Sequence, residues 1–522
     1  MGARRRGQRR VVHVDLVSYC SEVRSYELAD VLQLTLDLQT CQKAHWKNHK
    51  AACKNPMKSR DWQPAWVVEG RLPAFLGGEV EQDERDKKGD LEHGCTLWGN
   101  TPAFDVVNLV GNENKPSVDL ALAFPASGDL RHVIKAANSL PSNYTGKLTV
   151  LINDGTMVIS CRNLILLSIL GTIEDEALAA DVALHFWYSL LLPSGYKHHV
   201  KAAVAKFLDR LEGWCGPQPP FALGPQSDVV FPLWPGVVKW LSFCADSSMT
   251  PEYAKQEYGE LYITIARMIP PWPSQKDYIS RLYYNLKPSH RVAFQRYRQT
   301  GIVLPFSASV DEFTEANQSL FMMSGRWFQT DLANPLYGWN IMEIVESGKA
   351  HGVPSEDLYG CLYFYLSDQL RLFHQRLRQC SLSFKIMGID ASQLSLLIRD
   401  GLMADYKLPP TIRFDRVFVS NIFDRVYLGI PGVLQAWEPL LAKTTSAAIV
   451  GYLMNWFTFE PDGEPKGAQL RAIKRQLGVM PQGMNEWCFK TDEMDLLYDN
   501  SGPLGRYLKK QGLDAILRET GL

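Results

Sequence analysis

The sequence predicts an α/β fold with a parallel sheet, because short apolar runs alternate with amphipathic segments. Leu120–Phe124 has the length and composition of a buried strand, and the small-residue turn Ala126–Gly128 follows it. The amphipathic segment Leu130–Leu140 comes next, and a second apolar run, Leu148–Ile152, ends in Asn153-Asp154. Strand, turn, helix and strand in this order indicate a βαβ unit, whose ligand site would lie beyond the carboxyl ends of the strands.

The same alternation returns late in the chain, after a long stretch of different character. Residues Gly195–Arg378 are mostly helical in pattern and rich in aromatic side chains, with a break at Pro270–Pro273. Strand and helix signals then follow at Phe384–Ile389, Ser392–Ile398, Phe414–Ser420, Val433–Leu441 and Ala447–Tyr452. We therefore expect a Rossmann-like sheet in two parts, residues 97–194 and 381–460, separated by a helical insertion at 195–380. A C-terminal extension, 461–522, is polar apart from an amphipathic segment at Leu504–Leu517.

Composition excludes several classes of protein. The 522 residues are 46% hydrophobic and 21% charged, with a formal net charge of −1, so no overall charge favours nucleic acid or an anionic membrane. No apolar run approaches the roughly 20 residues of a membrane span. Ten scattered cysteines are typical of a reducing compartment rather than of a disulfide framework. We expect an intracellular protein, cytoplasmic or nuclear, with no membrane partner.

The N-terminal region divides into three parts. Residues 1–19 carry five arginines in their first ten positions, which indicates a solvated basic tail, with a nuclear signal or a phosphate contact as the alternatives. Residues 56–96 contain several prolines and glycines and the charge run Glu79–Lys88, and are predicted to form a linker. Between them, residues 20–55 hold the most specific local motif of the chain.

That motif combines cysteines and histidines at metal-ligand spacing. Cys41 and His49 have seven residues between them, and His49 and Cys53 have three, which places the last two on one face of a helix. The segment Cys41–Cys53, with Tyr19–Ser21 before it, closely resembles the C-terminal half of a MYND-type zinc finger. The chain has no cysteine before Cys20, so the resemblance is to an incomplete finger with an insertion after Ser21.

The resemblance implies a cofactor and a class of partner. By it, zinc ligands would be Cys20, Cys41, His49 and Cys53, and the finger would recruit proline-containing peptides. The alternative is a frayed helix that carries inert cysteines.

A second resemblance concerns the first part of the sheet. Trp98–Tyr196 resembles a fungal domain of unknown function that often follows a MYND finger, through GDLRHV at Gly128–Val133, LTVLIND at Leu148–Asp154 and CRNLILL at Cys161–Leu167. A related domain opens the ciliary dynein assembly factor family, whose fold is similar to a degenerate class I methyltransferase. The resemblance therefore implies a methyltransferase-like body.

A methyltransferase needs small residues after its first strand, so that the backbone approaches S-adenosylmethionine, and an acid after the second strand for the ribose hydroxyls. Candidate cofactor-binding residues, in the expected order, are Ser127, Gly128, Asp129, Asp154 and Asp390. Polar groups after the next strand are Ser420, Asn421 and Asp424. Each acid has an alternative role as a helix N-cap, turn former or surface charge. The first loop holds one glycine, fewer than such loops usually carry.

Two functions remain open. The chain has no GxxxxGK[ST] loop and no GxSxG elbow, and it lacks the signatures of SET-domain lysine methyltransferases. The first hypothesis is a zinc-binding interaction protein whose methyltransferase-like body is a scaffold without catalytic residues. The alternative is an active S-adenosylmethionine-dependent methyltransferase. The two differ in whether the candidate residues surround an open, cofactor-sized pocket.

Overall fold

A computed structural model of the chain describes residues 54–71, 96–211, 219–267, 273–329, 333–466 and 498–520, with 468–469 and 472–473. The strands are β1 Leu120–Phe124, β2 Lys147–Asn153, β3 Leu191–Pro193, β4 Phe221–Ala222, β5 Asp228–Val230, β6 Phe313–Ala316, β7 Ser381–Met387, β8 Arg416–Phe418 and β9 Ala448–Val450.

Helices dominate the rest of the described chain. The α-helices are α1 Ala65–Val68, α2 Arg131–Ser139, α3 Met157–Thr172, α4 Glu176–Tyr188, α5 Ser194–Leu208, α6 Pro235–Ala245, α7 Pro251–Arg267, α8 Pro273–Asn285, α9 Pro288–Thr300, α10 Ile341–Ala350, α11 Leu358–Gln379, α12 Ala391–Arg399, α13 Gly429–Trp437, α14 Ser501–Lys510 and α15 Leu513–Thr520. Short 3-10 helices lie at Pro56–Lys58, Asp209–Leu211, Gln318–Leu320, Pro335–Gly338, Ala404–Tyr406, Glu438–Leu440 and Trp456–Phe459. Among the described helices, none combines the length and apolar character that crossing a membrane requires.

Seven of the described strands form one mostly parallel sheet, in the order β4-β5-β7-β2-β1-β8-β9. Among the described strands of this sheet, only β4 and β5 pair antiparallel, while β3 and β6 form a separate antiparallel pair. The α/β prediction is confirmed, and the sheet is consistent with a Rossmann-like fold.

The order of the central strands fixes where a ligand site would be expected. From β7 to β9 the order is third, second, first, fourth and fifth along the chain, which is the doubly wound arrangement. The direction of winding reverses between β1 and β8. In such sheets ligands bind at this switch point, beyond the carboxyl ends of the strands.

Both faces of the sheet are covered, which explains why its strands read as continuous apolar runs. Alternate residues of β1 point to opposite faces: Leu122 and Phe124 join the larger core with α2, α3 and α11, whereas Ala123 joins a smaller core with α12 and α13. The helices after β1 and β2 therefore cover one face. Those after β7 and β8 cover the other, as the reversal of winding requires.

The insertion differs in part from its predicted helical character. It contributes β4 and β5, which extend the main sheet beyond β7. These strands are two and three residues long, and Pro219, Pro220 and Pro225 flank β4. Their strand conformation comes from pairing, of β5 with β7 and of β4 with β5, and a 2.6 Å hydrogen bond from Ser383 Oγ to Asp228 Oδ1 supports the first of these. A local sequence pattern does not carry such a tertiary effect.

Part of the predicted linker packs against the insertion. Arg291 on α9 donates to the carbonyl oxygens of Met57, at 3.4 Å, and Ser59, at 3.1 Å, and its guanidinium lies over the ring of Trp62. Trp66 on α1 is fully buried. Residues 54–71 therefore belong to the folded body. The predicted basic tail and the proposed zinc ligands Cys20, Cys41, His49 and Cys53 lie outside the described residues.

Candidate functional site

Asn153, the last residue of β2, joins three loops at the carboxyl edge of the sheet. Its side-chain amide donates to the carbonyl oxygen of Pro125, at 2.7 Å, and to that of Ile389, at 2.8 Å. Its Oδ1 accepts from the N–H of Ile389 at 3.0 Å, and the side chain is fully buried. The loops that follow β1, β2 and β7 are therefore fixed to one another by a single residue.

Asp154 joins the loops after β1 and β2. Its Oδ2 accepts from the N–H of Gly128 at 3.1 Å, and its Oδ1 from the N–H of Thr156 at 2.9 Å. Gly128 has φ of +56°, a left-handed conformation that glycine adopts without strain. Burial raises the pKa of Asp154, while the two N–H donors oppose that shift. The N–H of Ser127 donates to the carbonyl of Asn153 at 2.8 Å, so Ser127, Gly128 and Asp154 are brought together.

Asp129 is turned into the protein. Its carboxylate accepts from the N–H of Gly99 at 3.0 Å and pairs with the guanidinium of Arg131 at 3.2 Å. Asp129 is 3% exposed and Arg131 is 5% exposed. A Cβ on Gly99 would overlap the Arg131 guanidinium, and one on Gly338 would lie 3.2 Å from Arg131 Cδ. The backbone at Gly99 and the backbone at Gly338 therefore cover this part of the loop after β1.

Asp390 lies at the same edge but has a structural role. It is the N-cap of α12, and its Oδ1 accepts from the N–H groups of Ser392, at 3.0 Å, and Gln393, at 3.1 Å. The Ser392 hydroxyl, 2.5 Å away, is the main cause of a lowered pKa for Asp390. The carboxylate is exposed. This arrangement corresponds to the N-cap alternative that the sequence left open.

The loops after β8 and β9 are joined in a similar way. Asp424 is fully buried, and its carboxylate accepts from the N–H groups of Met454, at 2.8 Å, and Asn455, at 3.0 Å. Ser420 has φ of +52°, so the chain turns sharply directly after β8. Asp424 thus fixes the loop backbone on the far side of the switch point.

An aromatic cluster occupies the switch point between these two sets of loops. It consists of Phe104, Phe124, His132, Phe418 and Tyr452. Phe124 and Phe418 end β1 and β8, and their ring centroids are 6.0 Å apart. The His132 ring lies 4.4 Å from that of Phe418, and Phe104 lies 5.2 Å from His132. Tyr452 closes the cluster, 5.7 Å from Phe418.

His132 is held neutral within this cluster. Burial lowers its pKa to about 3, and the charge of Arg131 acts in the same direction. The N–H of Phe104 makes a long hydrogen bond to its Nδ1, at 3.5 Å, whereas its Nε2 has no hydrogen-bond partner among the described residues. Sequence reasoning missed this cluster. Its members are aromatic residues at strand ends and helix positions, which look like ordinary core residues.

The described part of the chain contains no group of three or more His, Cys, Asp or Glu side chains that could hold a metal ion. The carboxyl edge instead presents the half-buried Asp154, whose oxygens accept from backbone N–H groups, and the exposed Asp390. These carboxylates can accept hydrogen bonds from a ligand's hydroxyl groups. Asp129, in its internal ion pair, is far less available.

Comparison with known families matches residues 97–192 to a domain of unknown function, DUF4470. The match runs from the segment before β1 to β3, so it includes the first loop, Asn153 and Asp154. The predicted resemblance of this region to a domain of unknown function is confirmed. No MYND zinc-finger family is found, so that resemblance is unsupported. Searches of curated proteins and of solved structures find no match to the chain.

The first testable prediction concerns the Asn153 amide. Asn153→Ala removes three buried hydrogen bonds and leaves the polar backbone groups of Pro125 and Ile389 unpaired. We expect a loss of about 3 kcal/mol in the free energy of unfolding, measured by urea denaturation. The matched control is Asn138→Ala, whose half-buried amide donates to Gln369, with an expected loss of about 1 kcal/mol. Equal losses in the two variants would contradict the central role of Asn153.

The second prediction concerns acid stability. Because the pKa of His132 is lower in the folded state than in the unfolded chain, its contribution to stability is complete above about pH 6.5 and is lost as the pH falls toward 3. His132→Phe should therefore reduce the loss of stability between pH 7 and pH 4 by up to about 3 kcal/mol. The measurement is urea denaturation across this range.

The exposed His198, changed to Gln, serves as the control and should leave the pH dependence of the wild type unchanged. His185 is also buried with a pKa lowered to about 4, so some acid sensitivity should remain in His132→Phe. An unchanged pH dependence in His132→Phe would refute the account of its protonation.

Proposed function

We propose that this chain is an interaction protein whose methyltransferase-like body is a scaffold without catalytic activity. The observation that carries the proposal is the aromatic cluster at the switch point. A dinucleotide or nucleoside cofactor lies across this position in doubly wound sheets, at the ends of the strands that flank the reversal. Phe124 and Phe418 end these two strands and are buried against each other, and Phe418 also packs against His132.

A covering backbone segment also supports the proposal. The methionine part of S-adenosylmethionine requires close approach to the loop after the first strand. Here Gly99 donates its N–H to Asp129, and Ala103 donates to the carbonyl of Gly338 at 2.9 Å. The segment before β1 and the insertion therefore meet over this loop. Arg131 fills the space beneath them and neutralises Asp129.

The alternative is an active S-adenosylmethionine-dependent methyltransferase. It is supported by a second group of residues at the carboxyl edge of the sheet. Gly128 and Asp154 are joined there, and a Cβ on Gly128 or Gly155 would meet no atom within 4 Å. An acid after the second strand is the residue type that accepts ribose hydroxyls in such folds. Asp390 is exposed. It follows β7, so the acids come along the chain in the order that a methyltransferase requires.

Calorimetric titration of S-adenosylmethionine into the full chain separates the two functions. We expect no heat of binding up to millimolar ligand, because on the scaffold proposal the aromatic cluster and Arg131 fill the position that a cofactor would need. The chain must be shown to be folded by a cooperative thermal transition. Micromolar binding that Asp154→Ala abolishes and Asp129→Asn preserves would overturn the scaffold proposal and make the methyltransferase primary.

For the N-terminal region we propose a zinc-binding segment that recruits proline-containing peptides. The support is the spacing of Cys41, His49 and Cys53, together with Cys20, since thiolate and imidazole are the preferred ligands of tetrahedral zinc.

The zinc content of the purified full chain tests this part. We expect a zinc to protein ratio near one, by mass spectrometry of the metal after dialysis, and a ratio near zero in the variant His49→Ala with Cys53→Ala. The control is Cys161→Ala with His198→Ala, a cysteine and a histidine in the body, which should keep the wild-type ratio. A metal-free wild-type chain would refute the zinc proposal and favour inert cysteines.

A further inference from the structure

We propose that Lys385 is a reactive lysine that forms a Schiff base with a small aldehyde or ketone. It belongs to a cluster of four polar side chains beside the strands β5 and β7. The cluster consists of Asp228 on β5, Ser383 and Lys385 on β7, and Lys407, which follows the 3-10 helix Ala404–Tyr406. Such a site would be additional to the scaffold function and does not depend on it.

The amine of Lys385 lies in apolar surroundings. Lys385 is 2% exposed, and the residues beside it on the two adjacent strands are Leu151 on β2 and Val230 on β5, both buried. An ammonium group has three hydrogens to donate. Within the described residues, Ser383 Oγ is the one hydrogen-bond acceptor that the structure gives it. This lysine is therefore buried against a neutral hydroxyl instead of a carboxylate.

A chain of hydrogen bonds connects this amine with solvent. The Nζ of Lys385 donates to Ser383 Oγ, and the Ser383 hydroxyl donates to Asp228 Oδ1 at 2.6 Å. The Asp228 side chain is 30% exposed, and its Oδ2 lies 3.7 Å from the Nζ of Lys407, whose side chain is 52% exposed. A proton can therefore leave the buried amine through the hydroxyl and the carboxylate, while the amine itself stays shielded from water.

The electrostatic surroundings favour the neutral form of this amine. Burial lowers the pKa of Lys385 to about 8, and the charges of Lys147 and Lys407 act in the same direction, whereas Asp228 opposes them. At pH 7 about a tenth of such amines are neutral, compared with roughly one in 2,500 for an ordinary lysine. The neutral amine is the nucleophile, and desolvation together with a neighbouring cation is a known way of producing it.

The hydrogen-bond chain suits an imine as the product. The neutral amine attacks the carbonyl carbon, and the carbinolamine that forms loses its hydroxyl group as water. The proton that the ammonium released returns to this leaving hydroxyl, so ammonium and aldehyde give protonated imine and water with no net change in protons. The protonated imine keeps one N–H and the positive charge, so it can still donate to Ser383 Oγ beside Asp228. Acylation would remove that charge.

Reductive trapping in the folded full chain tests the proposal. The chain is treated at pH 7 with one equivalent of acetaldehyde and excess sodium cyanoborohydride, and peptide mass spectrometry locates the N-ethyl groups. We expect at least about tenfold more ethylation at Lys385 than at Lys407, because the neutral fraction of the amine sets the rate. A lysine buried for packing alone would give the reverse order, since Lys407 is far more exposed. That order would overturn the proposal.

Variants of Ser383 test the proton path. Ser383→Ala should slow the ethylation of Lys385 by about tenfold or more, because the path to Asp228 is broken. The matched control, Ser383→Thr, keeps the hydroxyl and should keep the wild-type rate. An unchanged rate in Ser383→Ala would overturn the path. The comparison of the two lysines in the wild type holds even if a variant does not fold, and labelling of Lys385 only after denaturation would overturn the whole proposal.

Discussion

The buried amide of Asn153 is the interaction on which the carboxyl edge of the sheet depends. Parallel strands end with backbone groups that must be paired, and their loops must turn at the same edge of the sheet. Asn153 pairs the backbone of the β1 and β7 loops through one side chain. Asp424 does the same for the loops after β8 and β9. With both sets of loops fixed, the position of the crevice beyond the carboxyl ends of β1 and β8 is determined.

The side chains at this position determine which ligands the fold can bind. A doubly wound sheet supports many functions, and function must be argued from the site rather than from the fold. Here Phe124 and Phe418, the last residues of β1 and β8, contact each other, and His132 packs against Phe418 in its neutral form. A neutral, aromatic crevice favours packing over the binding of a polar nucleoside. The polar groups at Gly128 and Asp154 lie outside this aromatic cluster.

Much of this architecture could be predicted from the sequence, because its signals are local. The runs at Leu120–Phe124 and Leu148–Ile152 are largely buried and apolar at all but one position, and both were placed correctly. The strands β4 and β5 were missed, since they form through pairing of β5 with β7 and of β4 with β5 and not through local composition. Among the candidate site residues, Ser127, Gly128 and Asp154 lie together, as expected for neighbouring strand ends. The ion pair of Asp129 depends on Gly99, thirty residues earlier, and no local pattern indicates it.

Crystallography can show whether the chain's own side chains fill the crevice beyond the carboxyl ends of β1 and β8. The measurement is a crystal structure of the full chain grown with millimolar S-adenosylmethionine. We expect Phe104, His132, Phe418 and Tyr452 to remain in contact and no density for the ligand to lie beyond the carboxyl ends of β1 and β8. Density for the ligand in that crevice, with Phe104 or Tyr452 displaced, would contradict it.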